Sequence, residues 1–403
     1  MQIKACRACG SISLIPILDL GEQYISDFRT DVSKPPRYPV KALICEDCKL
    51  VQLTHNVPQP LMYHDNYGFK SGVNEAIKAD LDSATVDAFQ YVPDPKSWLD
   101  IASNDGTLLS FVPRDIVRFG VDPVTYLCRQ ALPYADVIYN DYFSAYLFPE
   151  DAKFDVVTSI SCFYDMPRPK VFCDHVAGIL APRGIWVIQQ NYLATSLKLG
   201  AIDNFCHEHL TYWTLLSLEK LLDRCGLEVV EVKTSMVNGG SIRTMVAHKG
   251  IFEIDESVKE QRYQEKKANL HNLKPYLDFA DSSFESIRQL SRLVTDLKAQ
   301  GNSVAILGAS TRGSTIWQAA GLGPELIDYA VERNPAKVGR YFSAIGVPII
   351  SELEAHKRLP EYMIVGPWFF LDNIIEREKG YLEAGGKLIA PLPEVKIHGT
   401  NKV

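Results

Sequence analysis

The chain has 403 residues, 46% hydrophobic and 23% charged, with a formal charge of -7. This is a globular balance with mass for two or three cores, and its acidic sign excludes a binder of the nucleic-acid backbone, whose footprint is basic. No apolar run approaches the ~18 residues of a membrane span, the start MQIKACRACG lacks a signal peptide's apolar core, and nine cysteines without an export signal predict a reducing cytoplasm rather than a disulfide framework.

Residues 1 to about 60 are rich in turns and carry two CxxC pairs, Cys6/Cys9 and Cys45/Cys48. Two such knuckles bring four thiolates to one tetrahedral point, which suits Zn²⁺. Four sulfur ligands leave no open position, so the site is expected to be structural, replacing a core that so short a segment can barely build. Cys128, Cys162, Cys173, Cys206 and Cys225 lack paired spacing and read as buried fillers.

Residues 65 to 90 read as helical, and Pro93-Asp94-Pro95 ends the stretch. From 97 to 190 short apolar strands alternate with helical segments, starting at Ser97-Trp98-Leu99-Asp100-Ile101, which predicts a parallel sheet with helices on both faces. After the first strand, Asp100 is followed by the small-residue turn Ala102-Ser103-Asn104-Asp105-Gly106, which resembles motif I of class I methyltransferases. Small residues there let the backbone approach the methionine part of S-adenosylmethionine (SAM). Asp122, with Pro123 beside it, ends the next strand, where a carboxylate can accept both ribose hydroxyls; Asp141 after the third strand can flank adenine. Dinucleotide folds share such a turn, but the missing GxGxxG weighs against NAD.

The run Phe205-Cys206-His207-Glu208-His209-Leu210-Thr211-Tyr212 then places two imidazoles, a carboxylate and a phenol together. Imidazole is matched to proton transfer near neutral pH. A methyl donor beside a proton abstractor predicts methylation at carbon, because carbon must lose a proton to become a nucleophile. A zinc-protease site fails on spacing, since Thr211 stands where its second His belongs. Tyr67, Tyr212 or Asn238 can hold the enolate charge. Methylation of a hydroxyl or amine, and a non-catalytic interaction module, are the alternatives.

Gly226–Val232 and Ser241–Ala247 read as strands paired across Asn238-Gly239-Gly240, and 253 to 300 as a charged helical stretch. A second α/β unit begins at Ser303, with strands near 327–331 and 362–365, ending near 386–389. Its turn Gly308-Ala309-Ser310-Thr311-Arg312-Gly313-Ser314 mimics a P-loop but has Ser314 in place of the lysine, so ATP hydrolysis is not expected. The helix start at Ser310 and Thr311 can hold a phosphate with Arg312 assisting, and Glu332 can touch a ribose.

These elements, with Tyr67-Gly68-Phe69-Lys70-Ser71-Gly72-Val73-Asn74, Cys206-His207-Glu208-His209, Asn238-Gly239-Gly240-Ser241-Ile242-Arg243 and Gly385-Gly386-Lys387-Leu388-Ile389-Ala390-Pro391, resemble the sugar C-methyltransferases over nearly the whole chain. That family includes the C-3′-methyltransferase of tetronitrose biosynthesis. The resemblance implies an α/β architecture of a zinc-binding lobe (1–62), a central class I SAM methyltransferase domain, Rossmann-like (63–255), and a C-terminal Rossmann-like domain (256–403). It implies a nucleotide-linked ketosugar between the last two domains and a monomer or small homo-oligomer, with no nucleic-acid or membrane partner. His209 would be the base, with Glu208 and His207 nearby. Tyr67, Lys70, Ser71 and Asn74 would close over the donor, with Ser161 also at that site. Asn238, Gly240, Ser241 and Arg243 would border the sugar. Two residues depart from the pattern: Cys206 stands where the family often has Tyr, and Ser161-Cys162-Phe163-Tyr164-Asp165 stands where many members have an active-site His, with Tyr164 or Asp165 in its place.

Overall fold

In a computed structural model that describes residues 2–64 and 68–399, the apolar and β-branched runs assemble into three sheets. The central sheet has seven strands in the spatial order Leu227–Ser235, Ser241–His248, Leu180–Asn191, Phe154–Ile160, Ser97–Ile101, Val117–Val121 and Val137–Tyr139. The last five are parallel, while Ser241–His248 runs antiparallel to both its neighbours, completing the expected hairpin. Strand order reverses between Ser97–Ile101 and Phe154–Ile160, and ligands bind such sheets at the carboxyl ends of the strands flanking a switch of this kind. The helix expected from 65 starts later, at Glu75–Tyr91, because the Asn74 side chain caps it by accepting the Ala76 N–H (2.9 Å).

The C-terminal sheet has eight strands, with a parallel core of Lys387–Ala390, Tyr362–Val365, Val304–Leu307, Tyr329–Glu332 and Val347–Ser351. The charged helical stretch splits into Glu256–Lys267 and Lys274–Ala299. The second helix is amphipathic, burying Tyr276, Phe279, Ile287, Leu290, Val294 and Leu297 at helical spacing. The first buries one carboxylate, Glu265. It accepts the Leu216 N–H (2.9 Å) and the Tyr192 hydroxyl (2.7 Å) and so anchors the helix Leu215–Asp223 by its N-terminus.

The N-terminal lobe is not self-contained. Its antiparallel strands Leu14–Tyr24, Arg37–Cys45 and Val51–Leu53 take Thr211–Tyr212, from the central domain, as a fourth strand. Its strand Phe28–Arg29 pairs with Tyr341–Phe342 at the edge of the C-terminal sheet. Open edges are thereby covered in both directions. Gln318 locks the second junction by accepting the Tyr24 N–H (2.7 Å) and donating to the Tyr24 carbonyl (3.0 Å). Among the described residues no helix is long and apolar enough to cross a membrane.

Candidate active site

The four cysteines of the lobe converge. Cys6 and Cys48 Sγ are 3.5 Å apart, Cys9 and Cys45 Sγ are 3.5 Å apart, and all four sulfurs lie within 4.8 Å of one another. Zn–S bonds of about 2.3 Å in a tetrahedron put sulfurs roughly 3.8 Å apart, so the set fits Zn²⁺ with no position left for substrate. Gln52 Nε2 donates to Cys6 Sγ (3.3 Å), the kind of supporting bond that orients a thiolate ligand.

A cavity of about 290 Å³ opens at the carboxyl ends of the central strands, lined by Ala102, Asn104, Asp122, Pro123, Asp141 and Ser161 among others. A narrower extension of about 30 Å³ reaches Asp100, Ser103, Gln189 and Asn238. The turn between them adopts left-handed backbone at Ala102 (φ 59°), Asn104 (φ 51°) and Gly106 (φ 79°). Asp122 accepts the N–H groups of Asn104 (3.0 Å) and Val124 (2.8 Å), which pins its carboxylate at the cavity wall. Burial raises its pKa, and burial raises that of Asp100 to about 7 despite a 2.6 Å hydrogen bond from Thr158 Oγ1, with Asp122 pushing the same way. Ser103 Oγ is buried without a partner among the described residues, in the wall of the narrow extension. An acidic group for ribose hydroxyls, a backbone cradle and an orphaned hydroxyl at the far end fit SAM.

The segment before Glu75–Tyr91 closes over this turn. Ser71 N–H donates to Asn104 Oδ1 and Gly72 N–H to Asp105 Oδ2, both at 3.0 Å. A Cβ at Gly72 would lie 2.9 Å from Asp105 Oδ2 and 2.9 Å from Thr107 Oγ1, so a larger residue would have to push aside the Asp105 side chain that holds the clasp. Lys70 sits 5.4 Å above the Tyr126 ring. Tyr67 lies outside the described residues.

The two histidines of the HEH run have different surroundings. His207 Nε2 meets the Tyr38 carbonyl (3.0 Å) in the N-terminal lobe, and burial lowers its pKa to about 4. His209 Nδ1 lies 2.9 Å from the Asn204 carbonyl. A carbonyl can only accept, so Nδ1 carries the hydrogen and Nε2 keeps a free lone pair. The His209 ring packs 4.3 Å from that of Tyr164, and burial with the Arg312 charge lowers its pKa to about 3, leaving the imidazole neutral. Burial raises Glu208 to about 7, and its Oε2 is sealed without a partner among the described residues.

Several expected site residues are engaged elsewhere. Tyr212 stacks on Phe205 (4.1 Å) in the strand that joins the zinc lobe, and its hydroxyl is buried without a partner among the described residues. Arg243 is enclosed by Asp80, Asp87 and Gln189, so it braces the narrow extension from behind. Arg312 is committed to Asp203 (2.7 Å) and to the Asn238 carbonyl (2.6 Å), which joins the C-terminal domain to the hairpin of the central one. Ser310 caps its own helix through the Gly313 N–H (3.0 Å), with Thr311 the first helical residue. Glu332 accepts the N–H groups of Arg333 (2.8 Å) and Asn334 (3.0 Å) and faces Lys337 at 3.6 Å. In the hairpin, Ser241 Oγ donates to the Val237 carbonyl (2.9 Å), and Gly240 (φ 114°) leaves room for Thr195, which a Cβ would meet at 2.2 Å. Tyr63 and His175 also line the cavity and were not legible as site residues, since neither sits in a motif.

Three family models tile the chain: a zinc binding domain over residues 6–63, a methyltransferase domain over 73–232, and a C-methyltransferase C-terminal domain over 236–393. The C-methyltransferase NovU of Streptomyces niveus is 29% identical over 408 residues, spanning 98% of this chain and 97% of that protein. Among solved structures, a SAM-dependent methyltransferase of Clostridium acetobutylicum overlaps 44% of this chain and 94% of its own (13% identity, TM-score 0.37). The mitomycin 7-O-methyltransferase MmcR overlaps 43% of this chain and 54% of its own (14% identity, TM-score 0.36).

Proposed function

We propose, for a chain that belongs to the SAM-dependent C-methyltransferase family, that the acceptor is a nucleotide-linked ketosugar, methylated at a carbon beside its ketone through an enolate formed by His209. The observation that carries this is the bond from His209 Nδ1 to the Asn204 carbonyl (2.9 Å), which leaves Nε2 as a bare proton acceptor beside the turn that walls the donor cavity. SAM, when bound, supplies an electrophilic sulfonium methyl. The ketone acidifies the neighbouring C–H, and His209 takes that proton. Negative charge developing on the acceptor offsets the burial that makes the imidazolium unfavourable. Glu208, lifted to about 7, is a second group able to accept or relay the proton. We place the sugar between the two large domains, a reading supported by the contact of Arg312 with Asp203 and the Asn238 carbonyl across that junction.

The test is His209→Ala. Its affinity for SAM should stay within about twofold, while deuterium exchange at the acceptor carbon and turnover fall on the order of 10³-fold. Product NMR should show the new methyl on a quaternary carbon. A methoxy or N-methyl signal, or full activity in the variant, would refute the reading.

A further inference from the structure

We propose that Asp165 works as a neutral carboxylic acid that donates a hydrogen bond to the acceptor's carbonyl oxygen. This rests on the ketosugar reading above and assigns a residue to the oxygen side of the same step. Asp165 ends the short helical turn Phe163–Asp165 and lines the donor cavity. The HEH run packs on the same turn: the Tyr164 and His209 rings are 4.3 Å apart, and Thr211 Oγ1 donates to the Tyr164 carbonyl (3.0 Å).

The two oxygens of Asp165 differ. Oδ2 accepts the Tyr63 hydroxyl at 2.8 Å, whereas Oδ1 is buried with no partner among the described residues. The groups that act on Asp165 are Tyr63, Glu208, Cys162, Cys206 and Tyr212, none of them a cation; Arg168 and His175 line the same cavity but form no ion pair with it among the described residues. Arg312, which faces His209 and Cys206, has Asp203 as its ion-pair partner and donates to the Asn238 carbonyl. An isolated carboxylate in such a place is strongly disfavoured. Burial accordingly pushes its pKa well above the usual range, and the neighbouring Glu208 adds to this. Because the phenol already donates to Oδ2, the acid's hydrogen belongs on Oδ1. A carboxyl held neutral can then act as an oxyanion-hole donor. During the step the carbon-bound proton passes to His209, charge moves onto the carbonyl oxygen, and Asp165 keeps its own proton. The enolate carbon then bonds to the methyl, and the C–S pair returns to sulfur.

The experiment follows α-hydrogen exchange of thymidine-diphospho-4-keto-6-deoxyglucose in D₂O by NMR, with S-adenosylhomocysteine bound so that no methyl moves. Asp165→Asn keeps a donor on one atom and an acceptor for Tyr63 on the other. It should exchange within about fivefold of the parent. Asp165→Ala should fall about 100-fold, the scale of a lost oxyanion donor, while calorimetry still shows S-adenosylhomocysteine binding. The parent should lose activity as pH rises and Asp165 ionises, and Asp165→Asn should lack that alkaline limb. An Asn variant as slow as the Ala variant, or an Ala variant as fast as the parent, overturns the assignment. A parent enzyme that exchanges nothing overturns the ketosugar reading and this inference with it.

Discussion

The two large domains use one plan differently. Each has a strand, a small-residue turn and a helix, then a second strand ending in an acid. In the central domain the turn Ala102–Gly106 is held in left-handed backbone, and Asp122 stands at a cavity wall with no ion pair among the described residues. In the C-terminal domain Ser310 caps the helix internally, Pro367 crowds Gly308, and Glu332 is paired with Lys337. Ile306 occupies the place of Asp100 if Gly308 is matched to Ala102. At its cavity the central domain leaves the Ser103 hydroxyl and Asp165 Oδ1 without a partner among the described residues and Asp122 without a countercharge, whereas the corresponding Ser310 and Glu332 of the C-terminal domain are bonded within their own turns.

The strongest way to break this comparison is to break the joint. Arg312→Ala strands a carboxylate at Asp203 that is only 2% exposed. Urea unfolding should show a loss of about 3–5 kcal/mol, with two resolved transitions if the domains separate. Next, Asp122→Ala should weaken SAM binding about 100-fold through lost bonds to a charged group. Glu332→Ala should change it less than about twofold, and equal losses in calorimetry would erase the distinction. The most gradual, and the smallest per pH unit, is a pH effect. Asp100 is raised to about 7 in the fold, above its ordinary value of 3.8. The folded state therefore holds a proton that the unfolded chain has lost. Stability from this group is present below pH 4 and declines as pH rises toward 7, by at most about 1.4 kcal/mol per pH unit. Asp100→Asn should flatten that slope in thermal melts of the ligand-free protein.

Features that depend on spacing were readable in the chain. The CxxC pairs specify their tetrahedron because a short knuckle dictates where sulfur points, and the motif I turn follows from small residues after an apolar strand. Contacts made in three dimensions were not readable. His207 and His209 are chemically alike in sequence, but one meets Tyr38 and the other Asn204 and Tyr164. Arg312 beside a glycine-rich turn reads as a phosphate ligand, and nothing in the chain signals that Asp203, distant in sequence, lies against it. Two-residue strands such as Phe28–Arg29 have no periodicity to detect, so the sharing of sheets between lobe and domains had no signal.

The pairing of Thr211–Tyr212 with Val51 and Gln52 has a practical consequence. The HEH run sits immediately upstream on the same backbone, so the position of His209 is referenced to the metal knuckle through one rung of sheet. Stripping zinc with a chelator should thus silence chemistry before it abolishes cofactor uptake. Trimming or swapping the front of this enzyme would be expected to displace His209, the proposed base, however well the truncated remainder holds together.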